Sequence, residues 1–239
     1  MSLHILNGGN GNNATAWIDC AYAAAQQPTA ALSLTVWFQS TFAGSNFPGL
    51  ITVWDDGTGD DSYQIYIGFG GPDNNLAIEF NGGNDTIDNA YPLNAWHHIA
   101  ITWDGANVNI YEDAALVAGP HGFGGPINYS GTNHFEIGAA DTHDGSSEGY
   151  VADVRVYNRG LSLAEVKEIY NARGSDSVLR GLVGRYLGNE GPVGSVGGSG
   201  SIKDVSTTKN HGTPTLGSGG IVNVKWAADP AIKYRRRAC

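Results

Sequence analysis

Across 239 residues the chain has two cysteines, Cys20 and Cys239, one methionine and only 15% charged residues. Two cysteines make no disulfide framework, there is no Cys-x-x-Cys pair, and the redox compartment is left open. No stretch approaches the roughly 20 apolar residues that a membrane-spanning helix needs. The start, "MSLHILNGGNG", lacks the basic residues and long apolar run of a secretory signal. Bases are scarce where acids are common. Residues 1–175 hold four of the 13 bases and 19 of the 23 acids, a net charge of −15, whereas residues 176–239 carry +5. So acidic a body repels a phosphate backbone, which argues against nucleic acid as its partner. The "KYRRR" end reads as a solvated basic terminus. Catalytic signatures are scarce as well: there is no His-Glu-x-x-His. "GFGG" (68–71) follows a strand pattern without a helix behind it, so it is no dinucleotide cradle.

Glycine and aromatics are plentiful, with 35 Gly, six Trp and eleven Tyr. That mixture suits short strands and tight turns. Period-two segments recur at 32–38, 49–54, 63–69, 76–80, 98–103, 107–112, 134–138 and 150–157, each rich in β-branched and aromatic residues and bounded by Gly, Asn, Asp or Pro. Strands this short, with no helices between them, predict an antiparallel sandwich. One helix is expected at about 162–173. Ser162 and Glu165 form a capping box, Leu161 and Val166 a hydrophobic staple, Leu163, Val166 and Tyr170 one apolar face, and Gly174 the left-handed stop. The chain therefore divides into a body, 1–175, and a C-terminal extension, 176–239, that contains the flexible stretch "GPVGSVGGSGS".

"NAWHHIAITWDGANVNIYED" (94–113) is the one stretch that invites a metal reading. Strand alternation puts His97, Ile99, Ile101 and Trp103 on one face and Trp96, His98, Ala100 and Thr102 on the other, so the paired histidines cannot hold one ion together. Asp104-Gly105 then turns the chain into the partner strand "VNIYED". The stretch reads as a hairpin with an aromatic core. His121, His134 and His143 are scattered through loops and a strand end, where surface or capping roles are expected.

Together with "GYVADVRVYNRGLSLAEVKEIY", that hairpin resembles the laminin-G-like, concanavalin A-like jelly-roll domains. Their shared pattern is a Trp-x-His strand, an Asp-Gly hairpin and an Asp-Val-Arg-x-Tyr-Asn strand leading into a Leu-Ser-x-x-Glu helix, and the likeness covers about residues 4 to 173. It implies two antiparallel sheets with a concave face where many relatives bind glycans. The expected fold is thus all-β, a two-sheet antiparallel jelly-roll sandwich with one short helix and a C-terminal extension. Laminarinase-like relatives place catalytic acids along one strand as Glu-x-Asp-x-x-Glu. No such run occurs here, since Glu136 stands alone on its strand and Glu79 on another. A glycoside hydrolase or polysaccharide lyase is therefore disfavoured.

The reading that follows is a non-catalytic, lectin-like module for a glycan or glycoprotein, assisted by calcium. Calcium wants six to eight oxygen ligands. Two acidic loops qualify, "DDGTGDDS" (55–62) and "DTHDGSSE" (141–148). The resemblance carries over Asp61 or Asp60 as a ligand with the Ile78 carbonyl nearby, and composition adds Asp141, Asp144 and Glu148. A second family position is departed from: relatives place a calcium-binding Asp two residues before the Val-Arg-x-Tyr run, which here is Ala152. Asp153 is adjacent, but strand alternation turns it to the other face. Trp54, Tyr63, Tyr91 and Tyr129 lie in or near loops and are the candidate platforms for sugar rings, while Trp37 and Trp103 read as core. The alternative is a structural or protein-interaction module of a virion or cell-surface assembly, and either role suits an extracellular or surface setting.

The tail "GLVGRYLGNEGP…SIKDVSTTKNHGT" (181–213) resembles the opening of such a domain, the element that in relatives precedes the counterpart of "HILNGGNGNNATAWID". Leu182, Val183, Tyr186 and Leu187 need burial, and too few residues follow the helix for a second core. Residues 181–187 are therefore expected to add as a strand to the body, in their own chain or in a neighbour's. The second case would make a swapped oligomer.

Overall fold

A computed structural model describes residues 2–5, 16–41, 49–53, 62–67, 76–80, 83–87, 94–129, 133–140, 145–146, 149–191, 193–196, 198–216 and 224–228. Its strands begin with β1 (Ser2–Ile5), β2 (Ala16–Cys20), β3 (Leu32–Ser40), β4 (Gly49–Val53), β5 (Tyr63–Ile67) and β6 (Leu76–Phe80). They continue with β7 (Gly83–Ile87), β8 (His97–Trp103), β9 (Asn107–Glu112), β10 (Ala115–Gly122), β11 (Phe135–Ile137), β12 (Ala139–Ala140), β13 (Gly145–Ser146) and β14 (Gly149–Tyr157). Helix α1 (Leu163–Ala172) follows, then β15 (Leu182–Tyr186), β16 (Gly194–Ser195), β17 (Thr213–Leu216) and β18 (Val224–Ala227).

These strands build two antiparallel sheets, the jelly-roll sandwich expected from the sequence. The first runs β10-β9-β8-β3-β14-β1-β18-β16, with β15 beside β14; the second runs β17-β2-β11-β4-β5-β6-β7. Between them alternate residues of facing strands interdigitate, among them Ile18, Leu34, Val36, Ile51, Ile65, Ile78, Ile99, Ile101, Trp103 and Ile137. The hairpin at 104–107 turns where the sequence places it. The amides of Ala106 and Asn107 donate to Asp104 Oδ1 at 2.9 and 2.7 Å, and Gly105 adopts a φ of 97°. A Cβ there would meet the Ala30 carbonyl at 2.8 Å. No helix among the described residues is long and apolar enough to cross a membrane.

Helix α1 lies over the outer face of the first sheet. Its N-terminus closes with the capping box of Ser162 and Glu165, and its end with Arg173 in the left-handed region. The buried face differs from the expected one. Val166 and Ile169 are buried and Tyr170 is partly so, while Leu163 at the first turn is 41% exposed. Leu163 precedes the turn that meets the sheet, so the stripe begins at Val166. Beneath the helix sits His98, fully buried, with Trp37 and Tyr170 rings 5.0 and 5.9 Å away. Burial, and then the nearby Arg155 cation, push its pKa down to about 4, so the ring is neutral.

Alternation fails at one informative place. Asp153 has a φ of 45° in a bulge of β14, where the register against β3 shifts between Ala152 and Arg155. The extra residue puts the Asp153 carboxylate on the outer side that Ala152 also faces, contrary to the expectation that alternation would turn it from Ala152's face. Arg155 donates to Asp153 at 3.0 Å and to Asp176 at 2.8 Å, and Arg185 donates to Asp153 at 2.9 Å. Both carboxylates and the Arg155 side chain are fully buried, and the two guanidinium groups hold both carboxyls below the usual range.

Arg185 comes from beyond the helix, where the chain returns to both sheets. β15 pairs antiparallel with β14, Val154 opposite Tyr186 and Tyr157 opposite Leu182. β1 takes the first half of that same edge, with Leu3 opposite Val151. β17 pairs with β2 in the second sheet, and β18 with β1 in the first. The strand at 182–186 thus pairs within its own chain, and β15, β17 and β18 of the C-terminal segment are built into the sandwich.

Candidate functional site

The outer face of the second sheet is the one α1 leaves uncovered. Core residues bracket five polar residues on it: Ile18 and Cys20 flank Asp19, Phe135 and Ile137 flank Glu136, Ile51 and Val53 flank Thr52, Tyr63 and Ile65 flank Gln64, and Ile78 and Phe80 flank Glu79. Alternation therefore points these five away from the core. Register aligns them as one row across the sheet, Asp19 opposite Glu136, Glu136 opposite Thr52, Thr52 opposite Gln64 and Gln64 opposite Glu79. Gln64 Nε2 donates to Glu79 Oε2 at 2.6 Å. Thr52, Gln64 and Glu79 are buried, whereas Asp19 and Glu136 are half-exposed. His134 Nδ1 lies 2.8 Å from Asp19 Oδ1. Thus the carboxylate that stands alone on its own strand, Glu136, gains a neighbour only through strand pairing.

A groove lies beyond the end of β2. β2 ends at Cys20, and the chain then forms one wall with Tyr22, Ala24, Gln27 and Thr29; Pro126, Ile127, Asn128 and Tyr129 form the other. The groove is shallow, open to solvent and about 550 Å³ in volume. Tyr22 is 42% exposed on its rim. The walls are held from behind. Gln27 Nε2 donates to the Asn133 carbonyl at 3.0 Å, and the Tyr129 hydroxyl to the Pro28 carbonyl at 2.9 Å. Burial raises the pKa of Tyr129, so it stays a neutral donor. Underneath, Tyr63 donates to the Gln26 carbonyl, Gln26 Nε2 to the Tyr186 hydroxyl, and Tyr186 to the Asn210 carbonyl, at 3.0, 3.0 and 2.7 Å. Asn210 Nδ2 returns to the Ala21 carbonyl at 2.6 Å and to Gln26 Oε1 at 2.8 Å. Two residues of the C-terminal segment therefore fix the loop that carries Tyr22.

Of the aromatics singled out by sequence, Tyr129 lines this groove. Tyr63 does not serve as a sugar platform: its side chain is fully buried in the core, and its hydroxyl braces the loop. Trp54 and Tyr91 lie outside the described residues, as do Asp60, Asp61, Asp141, Asp144 and Glu148. Ile78 is described, and it sits in mid-strand, opposite Ile65 of β5 and Asp85 of β7. Tyr22 and Gln27 were not legible as site residues. Nothing in "CAYAAAQQPTAA" distinguishes them from an ordinary loop, and only the approach of residues 126–129 makes them a wall.

The family model of the concanavalin A-like lectin/glucanases superfamily matches residues 10–167. No curated protein matches the chain. Among solved structures, a Bacteroides ovatus protein presumed to bind carbohydrate superposes with a TM-score of 0.61 at 17% identity, over 91% of this chain and 59% of its own length. The chain therefore spans less than two thirds of that protein. A heptameric SAP-like pentraxin from Limulus polyphemus superposes with a TM-score of 0.54 at 15% identity, over 73% of this chain and 83% of its own. At such identities these likenesses concern the fold.

Proposed function

Because the chain belongs to the concanavalin A-like lectin/glucanase superfamily, we propose that it is a non-catalytic carbohydrate-binding module whose glycan lies in the groove between residues 22–29 and 126–129. The observation that carries the reading is Tyr22, an aromatic ring 42% exposed on the rim of a braced groove whose other wall holds Tyr129 and Asn128. A sugar's apolar face stacks on such a ring, and its hydroxyls bond to the Gln27 and Asn128 amides and the Thr29 hydroxyl. A shallow, open groove suits the end or one edge of a polysaccharide better than a small molecule that must be enclosed. The carbohydrate-binding description of the Bacteroides ovatus protein is consistent with this reading.

Calcium belongs to the same proposal. Loops 55–62 and 141–148 supply carboxylates from Asp60, Asp61, Asp141, Asp144 and Glu148, and a bound ion would fix loops of this acidic surface. A glycan or glycoprotein partner implies an extracellular or cell-surface setting. The test is a glycan array with calcium, followed by titration calorimetry of the best ligand. Tyr22→Ala should weaken that ligand at least tenfold, the loss of one stacking platform, while the melting temperature holds. Binding by Tyr22→Ala equal to the parent chain's would end the assignment of the groove. For calcium, a melting temperature unmoved by chelator, in both the parent chain and Asp61→Asn, would dismiss the ion.

A further inference from the structure

The paired histidines of the hairpin face opposite sides, as alternation requires, but His97 has other company. Its Nδ1 lies 3.1 Å from Glu112 Oε1 and 3.4 Å from Asp113 Oδ2, and one ligand atom from each of the three residues falls within 4.8 Å of the others. The fold makes this meeting in two steps. β8 and β9 pair with Ile99 opposite Glu112, which brings Glu112 near the start of β8. Asp113 and Ala114, both at positive φ, then form the two-residue turn into β10, where Ala115 pairs back on Glu112. Asp113 is clamped by its backbone. Its amide donates to the His98 carbonyl, and the His98 amide to Asp113 Oδ1, each at 2.9 Å. With Oδ1 so engaged, Oδ2 is left to face His97.

We infer that His97, Glu112 and Asp113 form a binding site for a divalent transition-metal ion, zinc above all, with a fourth position open to solvent. Four ligands placed tetrahedrally at about 2.0–2.1 Å from a zinc ion are about 3.3 Å from one another. The two nitrogen-to-oxygen distances, 3.1 and 3.4 Å, already have that value. One imidazole and two carboxylates are an ordinary zinc set, with a vacancy that water or a ligand's oxygen would fill. Calcium is the wrong ion for it, because three protein atoms, one a nitrogen, fall well short of six to eight oxygens. Exposure suits an accessible ion: the side chains of His97, Glu112 and Asp113 are 12%, 18% and 37% exposed, so the imidazole is anchored while Asp113 meets solvent. The Phe38 ring, 6.0 Å from the imidazole, packs against it on the core side. The site shares no residue with the groove or with the acidic loops, so neither proposal depends on the other.

The competing arrangement is an imidazolium held by the two carboxylates. A hydrogen bond donated by His97 to the Asp113 carboxylate is the first cause of a raised His97 pKa, and it works in that direction. The experiment uses the full chain without a histidine tag, in calorimetry and thermal melts with zinc chloride, calcium chloride and EDTA. Zinc should bind with one-to-one stoichiometry and raise the melting temperature, EDTA should reverse the rise, and calcium should not reproduce it at this site. Cobalt substituted for zinc should give visible d–d absorption. Glu112→Gln keeps shape and volume, so its fold is safe, and it should weaken zinc binding at least tenfold; His97→Gln should abolish both the binding and the cobalt spectrum. Absence of zinc binding by the parent chain, leaving an ion triad only, overturns the site. So does undiminished binding by Glu112→Gln or by His97→Gln, which would place the zinc on another histidine.

Discussion

The two sheets present outer faces of opposite character. The first is closed: α1, His98, Trp37 and the Asp153–Arg155–Asp176–Arg185 network lie over it, and its buried charges pair within the protein, while the Trp37 indole nitrogen and both His98 ring nitrogens are buried with no hydrogen-bond partner among the described residues. The second carries a row of polar side chains that runs from buried Glu79 to half-exposed Asp19. One face spends its polarity on holding the chain together. The other directs it away from the core, with Asp19 and Glu136 half-exposed and Thr52, Gln64 and Glu79 buried. The difference is made largely by the C-terminal segment, which supplies Asp176 and Arg185 to the closed face and Tyr186 and Asn210 to the back of the groove.

The largest effect should come from removing that segment. A chain ending at residue 175 would lose β15, β17 and β18 and leave Arg155 with one of its two carboxylates. It should show no cooperative thermal transition, and a melt equal to the full chain's would refute the account. Next is Arg155→Met, which leaves two buried carboxylates with Arg185 as their one remaining guanidinium. A loss of about 3–5 kcal/mol in denaturant unfolding is expected, as for a buried pair that loses one partner.

Acid should act on the same face. Asp153 and Asp176 are held low by Arg155 and Arg185, and Glu165 is lowered to about 2, with the Arg159 hydrogen bond first among the causes. A depressed folded pKa gives stability that is complete above the unfolded carboxylate range, near pH 4, and is lost as pH falls through the folded value. Melting temperature should therefore fall steeply below about pH 4, and Arg155→Met should flatten that slope. An unchanged slope in the variant would mean that other carboxylates dominate.

The open face should respond with the opposite sign or hardly at all. Thr52 Oγ1 is buried and makes no hydrogen bond among the described residues. Thr52→Val should leave stability equal or raise it by about 1 kcal/mol, because an unsatisfied buried hydroxyl is removed. A loss of more than that would reveal a partner for the hydroxyl. Smallest of all, Tyr22→Ala should change stability by less than about 0.5 kcal/mol. A larger drop would turn Tyr22 from a ligand platform into a structural residue.

Local pattern alone determined a good deal here. The eight alternating segments become strands, Asp104-Gly105 turns the central hairpin, and Ser162 and Glu165 cap the one helix. Each of these depends on neighbours within a few residues, and hydrogen bonding and side-chain period act over that range. Pattern also separated His97 from His98, since alternation is a local rule. It erred at Asp153, because a bulge is set by the partner strand and not by the residue that bulges. Tertiary structure alone decided which distant residues share a surface. Glu136 meets Asp19, and Tyr22 meets Tyr129, across more than a hundred residues. His97 finds Glu112 and Asp113 only because β8 and β9 pair in one register, and a slip of a single residue would turn those carboxylates to the other face.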